Sequence, residues 1–248
     1  MSSISLRIRR AETPFYRFLK ACALVVVRPR APRIPRILKP AGRVLYAAHF
    51  AVIVATRTLI TVFYRHPLFQ SRCASVGKNV SIDGLPFISG HTEIHIGDDV
   101  YLGGKISIHS GRILEAPVLK IGNRAQVGWN TNITVNQEVV IEDDAIVAYD
   151  CRISDSDGHP RQADLRAQHC PPDPKDIRPV RIRRNAWVGN GSHIMKGVTI
   201  GEGAVIGANS VVINDIPPYC LALGNPAEVF FRNYGKPSAR KPTTVEQI

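Results

Sequence analysis

One short stretch concentrates side chains that can move protons: Ile153-Ser154-Asp155-Ser156-Asp157-Gly158-His159-Pro160. A neutral imidazole, with an ordinary pKa of about 6.5, accepts a proton from an attacking alcohol near neutral pH. A base positioned for that work contributes roughly 10²–10⁴-fold. Asp155 or Asp157 can take the other ring N–H and fix the tautomer; either can equally cap a turn. His169, beside Cys170 and the pair Pro171-Pro172, either meets a substrate or is simply exposed. His193, in Asn190-Gly191-Ser192-His193, reads as a surface corner.

What must position these groups is a repeat. From Val180 to Pro226 an aliphatic residue returns every six positions, at Ile182, Val188, Ile194, Ile200, Ile206 and Val212. The next residue is often small, as at Gly189, Gly201 and Gly207. Neither a helical period nor strand alternation gives a period of six. A strand and turn in each hexad, with neighbouring coils stacked, does. The phrase extends upstream through Ile96-Gly97-Asp98-Asp99-Val100, Ile121-Gly122-Asn123-Arg124-Ala125 and Ile141-Glu142-Asp143-Asp144-Ala145. Residues eighteen apart fall in register, so three hexads make one coil of triangular section. The aliphatics point inward, and Gly, Asp and Asn take the corners. The period breaks at length once, over residues 155–178, and a long excursion from a rigid solenoid is where binding and chemistry concentrate.

These phrases, together with Trp187-Val188-Gly189, Gly197-Val198-Thr199-Ile200-Gly201 and Asp215-Ile216-Pro217-Pro218 followed by Gly224-Asn225-Pro226-Ala227, resemble the hexapeptide-repeat acyltransferase superfamily. The galactoside, maltose and polysaccharide O-acetyltransferases are the members they are similar to. The likeness covers about Val76 to Arg232. It implies an all-β fold, a left-handed parallel β-helix, here with an N-terminal helical, basic extension. The handedness comes from the resemblance, since the general crossover rule gives a right-handed coil.

The resemblance also implies roles. The histidine of a similarly placed His-Pro is the catalytic base, which selects His159, with Asp155 and Asp157 as its carboxylate candidates. An Asn-x-Asn about thirty residues earlier contacts the acceptor, which selects Asn130, then Asn132, beside Trp129. Asn136 and Glu138 are vaguer candidates. The donor, acetyl-CoA, would run along Trp187, Gly189, Asn190, Gly207 and Ala208. At the phosphate end the chain departs from its relatives: Asn214 follows Ile213 where Thr-Lys is usual, and Glu228 replaces a common Arg. Phosphate contact would then fall to Arg232 or Lys236. A homotrimer with sites between subunits follows from the likeness. No metal is expected: His91, His95 and His109 lack the pairing that the zinc-binding γ-class carbonic anhydrases use.

The charge of +12 is unevenly placed. Residues 1–72 hold fourteen Lys and Arg against one acid, Glu12; the remainder carries −1. No nucleic-acid reader motif accompanies the basic segment, so no nucleic-acid partner is expected. Residues 44–64 are long and apolar enough for a bilayer, but Arg57 and His49 lie inside. A central Arg costs about 2.5–3.5 kcal/mol on insertion scales. We read residues 1–72 as a membrane-associating extension that meets anionic lipid through residues 1–70. A helical cap on the solenoid and a spanning helix are the alternatives. Residues 73–232 then form the acetyltransferase domain and 233–248 a flexible tail. The five cysteines show no C-x-x-C pair, which suits reduced thiols; Cys151 and Cys220 read as packing.

The expected activity is O-acetyl transfer to a sugar, or to a lipid-linked or cell-surface polysaccharide precursor, in the cytoplasm at the inner face of the membrane. A small-molecule acetyltransferase and a non-catalytic β-helix are the competing readings.

Overall fold

The computed structural model describes residues 3–11, 13–27, 34–111 and 113–236. The last part of the expected tail, from residue 237, and the basic string over residues 28–33 lie outside the described residues. The chain divides into two units, residues 1–55 and 56–248.

The second unit contains the solenoid. Its strands run from Ser75–Val76 to Ala227–Phe231 and sort into three sheets of six, eight and six strands. Every pairing between coils is parallel; only the last hairpin, Leu221–Gly224 with Ala227–Phe231, is antiparallel. The three sheets are the faces of a left-handed β-helix, as the resemblance implied. On the first face Ile182 pairs with Ile200, on the second Val188 with Ile206, on the third Ile194 with Val212. The register of eighteen therefore holds after the long loop. Before it the coil is wider: Ile121 pairs with Ile141, and Val127 with Val147, twenty residues apart.

The interior is a set of stacked columns. Ile96, Ile121, Ile141, Ile182 and Ile200 form one, and Ile108, Ile133, Ile153, Ile194 and Val212 another, all buried. Small residues fill the corners beside them: Ala125, Ala145, Ala186, Ala204 and Cys220. Thr131, Cys151, Ser192 and Ser210 form a buried polar column. Each satisfies a corner carbonyl: Cys151 Sγ donates to Gly189 O at 3.3 Å, and Ser192 Oγ to Gly207 O at 3.0 Å. Cys151 and Cys220 are thus packing residues, and burial raises the Cys151 thiol above its ordinary range. The corners need left-handed backbone. Asp99, Arg124, Asp144 and Asn185 supply it at φ of 56–59°, and Asn130, Asp150 and Asn209 do so at the next corner. Short Asn and Asp side chains tolerate this region best after glycine.

The N-terminal segment is helical. Helix α1 spans Ser3–Arg10, α2 Pro14–Val27 and α3 Lys39–Ile60; a π-helical turn, Thr61–Arg65, leads into α4, His66–Gln70. Residues 36–70 make a helix long and apolar enough to cross a membrane, and none of its apolar window is buried. Arg57, the residue that speaks against a span, forms an ion pair with Asp83 at 2.6 Å. Arg65 donates to the Asp83 carbonyl (3.3 Å), and the His66 ring bonds the Val80 carbonyl (2.8 Å). Phe69, fully buried, joins the solenoid core. Residues 56–70 are thereby fixed to the first coil.

Candidate active site

The third-face strand Arg152–Ser154 runs straight into the long excursion, which carries helix α5, Ala163–Ala167, and a 3-10 turn, Pro174–Asp176. The loop returns at the first-face strand Val180–Ile182. Between the loop and the third face lies a cavity of about 530 Å³. His159 and His169 face it from the loop, with Cys170; His109, Thr134 and Asn136 face it from the coils. Among the described residues the His159 ring has no hydrogen-bond or ionic partner, and the residue is exposed. An imidazole with both nitrogens open, at the rim of a cavity, is available to take a proton.

Neither aspartate holds that ring. Asp155 was expected as a partner of His159, but its carboxylate is fully buried and accepts main-chain amides. The N–H groups of Asn136 (2.8 Å), Gln137 (2.6 Å) and Glu138 (3.0 Å) all donate to it. Its carbonyl accepts the Arg178 N–H at 2.9 Å, so Asp155 ties the two ends of the loop together. Burial pushes its carboxyl above the usual range, against the opposing pull of the Gln137 and Asn136 amides. Asp157 pairs with Lys196. The physical reason is supply: buried donors and a buried ammonium demand partners, and these carboxylates provide them.

The expected acceptor residues spread over two places. Trp129 and Asn130 sit at the corner between the second and third faces. The Trp129 indole N–H donates to Asp83 at 2.9 Å, and Asn130 Nδ2 to Asp150 at 2.7 Å. Tyr101 also donates to Asp83, at 2.6 Å; burial first, then that bond, raise its hydroxyl. Within one chain neither Trp129 nor Asn130 lines the His159 cavity. Asn132 is closer to it, accepting a hydrogen bond at 3.4 Å from Thr134, which lines the cavity. Asn136 lines it too, and its side-chain oxygen accepts from Gly111 N at 2.9 Å. Glu138 does not: it belongs to a first-face strand and pairs with Arg181 at 2.5 Å and Lys120 at 3.5 Å.

The expected donor residues lie along the second face and its following corner. Trp187 pairs in register with Ile146 and Val205 and is half exposed. Gly189 and Gly207 are required by the coils themselves. A Cβ on Gly189 would come within 2.7 Å of Ile206 O, and one on Gly207 within 2.8 Å of Leu223 Cβ. Asn190 and Ala208 are exposed beside them, and Asn190 accepts from Tyr149 N at 3.3 Å. Asn214 and Arg232 are exposed.

The early histidines are separately engaged. His91 bonds Leu114 O, His95 bonds Ser75 and Glu93, and His109 bonds Ser89. No group of three or more His, Cys, Asp or Glu is gathered for a metal among the described residues. Sequence reasoning missed Lys196, Asp83 and Tyr101. A lysine in a turn ordinarily reads as solvated, so nothing local flagged Lys196.

Three parallel faces wound into a left-handed β-helix, with one long loop bearing an open histidine, define a hexapeptide-repeat solenoid. The family model described as bacterial transferase hexapeptide (six repeats) matches residues 179–214. The galactoside O-acetyltransferase of Escherichia coli (strain K12) is 30% identical over 165 residues, 66% of this chain and 66% of that protein. The polysialic acid O-acetyltransferase OatWY has a similar structure, with a TM-score of 0.53 and 22% identity, covering 70% of this chain and 81% of that one. So has a mutant of AntD, an N-acyltransferase from Bacillus cereus solved with dTDP and Coenzyme A, at a TM-score of 0.53 and 19% identity, covering 68% and 89%. The chain spans between 48% and 66% of the length of the first curated relatives it matches. It belongs to the hexapeptide-repeat acyltransferase superfamily.

Proposed function

We propose that this chain is an O-acetyltransferase that moves an acetyl group from acetyl-CoA to a sugar hydroxyl, with His159 as general base. The observation that carries the reading is the unpartnered His159 ring at the mouth of the cavity between the loop and the third face. Family membership supports the acyl transfer, and the galactoside O-acetyltransferase supports a sugar acceptor.

The chemistry is a direct transfer. His159 takes the hydroxyl proton as the oxygen bonds the thioester carbonyl carbon. The carbon–sulfur bond then breaks, and the same proton passes to the departing thiolate. A backbone amide near Trp187–Gly189 would stabilise the oxyanion. No acyl-enzyme is needed. The strip formed by Gly189, Asn190, Gly207 and Ala208 would hold the pantetheine amides. The two halves, His159 cavity and second-face strip, would complete each other across subunits of a homotrimer, which brings Trp129 and Asn130 into play.

The uncovered helix over residues 36–70 and the basic segment before it support attachment to an anionic membrane surface from the cytoplasmic side. An acceptor that is itself lipid-linked or part of a cell-surface polysaccharide fits that placement. Calorimetry with the full chain tests the donor: acetyl-CoA binds at micromolar strength, and His159→Ala retains the binding while losing turnover. No binding of acetyl-CoA would overturn the reading.

A further inference from the structure

We propose that Lys196 is a positioning residue for this transfer, holding Asp157 and through it the place where the His159 imidazole stands. The inference rests on His159 being the base. Lys196 follows the third-face strand His193–Ile194 in the turn Met195-Lys196-Gly197. It is only 8% exposed, and lysines are almost never so buried unless paired. Its ammonium is paired with the Asp157 carboxylate.

The same turn grips the other limb of the loop. Gly197 N–H donates to Arg178 O, and Arg178 N–H to Asp155 O, both at 2.9 Å. Gly197 has φ 79°, and a Cβ there would lie 3.1 Å from the Arg178 side chain, so the loop's end rests directly on the turn. On the His159 limb the other bonds are local. Ser154 Oγ donates to Ser156 O at 2.5 Å, and Gly158 N to Ser156 Oγ at 3.0 Å. Among the described residues the pair Lys196–Asp157 is the one side-chain link between residues 156–159 and another coil. Gly158, at φ 77° with open space around it, adds no brace of its own. One residue therefore separates the anchored carboxylate from the imidazole, and a shift in the anchor becomes a shift in the base.

Misplacement of a catalytic group by about 1 Å can cost on the order of 10²-fold in rate. In steady-state assays of CoA release on the full chain, Lys196→Met should lower kcat by about that factor. The KM for acetyl-CoA should stay as it is, because neither Lys196 nor Asp157 is among the residues assigned to the donor. Lys196→Arg keeps the charge and should restore most of kcat. Asp157→Asn should fall like Lys196→Met, and the double variant should be no worse than either single, since the pair acts as one unit. Unchanged kcat in Lys196→Met, additive losses in the double variant, or an Arg variant as impaired as the Met variant would each overturn the proposal. A wild-type chain that releases no CoA with a galactoside, a sugar nucleotide or a lipid-linked sugar would instead remove the base reading, and this proposal with it.

Discussion

The solenoid and the long N-terminal helix treat their apolar residues in opposite ways. In the solenoid nearly every aliphatic of the repeat is buried, stacked on the equivalent residue one coil away. Helix α3 buries none: Val44, Leu45, Tyr46 and Phe50 are all more than half exposed. Exposed single apolar residues are ordinary, but a contiguous apolar surface of this kind marks an interaction site. The solenoid finds its hydrophobic partners within its own coils; for the helix we propose a membrane surface. The two regions meet different tests.

The largest effect on folding should come from the stack. Ile182→Ala leaves a hole between Ile141 and Ile200 and should destabilise by about 2–5 kcal/mol in denaturant unfolding. A cost near zero would mean that the coils do not pack as columns. Next comes Asp155→Asn, which points an amide at main-chain donors; chemical denaturation should show a loss of about 1–3 kcal/mol. Because the Asp155 carboxyl is raised in the fold, its share of stability is complete below the ordinary carboxylate range and is lost as pH rises through the raised value. The wild-type advantage over Asp155→Asn should therefore narrow on going from mildly acidic to neutral pH.

Arg57→Gln removes a half-exposed ion pair with Asp83 and should cost only about 0.2–1 kcal/mol. Amide exchange over residues 56–70 should quicken while the coils stay protected. The smallest effect on folding sharpens the comparison most. Leu45→Glu with Phe50→Glu should leave the unfolding midpoint where it is, yet abolish sedimentation with anionic phosphatidylserine vesicles. A lowered midpoint with vesicle binding intact would make α3 a packing element instead.

The sequence showed the solenoid because its period is set by a local rule: an inward aliphatic and a tight corner in every hexad. The same rule failed on coil width. The coil from Ile121 to Ile141 is two residues longer than eighteen and the one from Ile96 to Ile121 seven longer, yet each keeps its inward isoleucine in register, so the eighteen-residue register could not be extended backwards by pattern alone. His159 stood out as a candidate because the resemblance selects the histidine of a His-Pro and because it lies in a loop that interrupts a rigid repeat. The roles of its neighbours were not. Asp155 and Asp157 sit four and two residues from the imidazole, but their partners come from coils far away in sequence, Asn136 to Glu138 and Lys196. Such pairings follow from stacking, not from local spacing. Trp129 shows the same limit, since its indole is held by Asp83 from two coils earlier.

The most direct test of the central claim is the initial rate of acetyl transfer from acetyl-CoA to a panel of sugar acceptors, for the wild-type chain and for His159→Ala, with acetyl-CoA binding measured on both. The account predicts transfer by the wild type, a loss of kcat of roughly 10²–10⁴-fold in the variant, and equal donor affinity and melting temperature in the two. Equal rates in the two proteins would contradict it, because the open imidazole at the cavity mouth would then take no part in the chemistry.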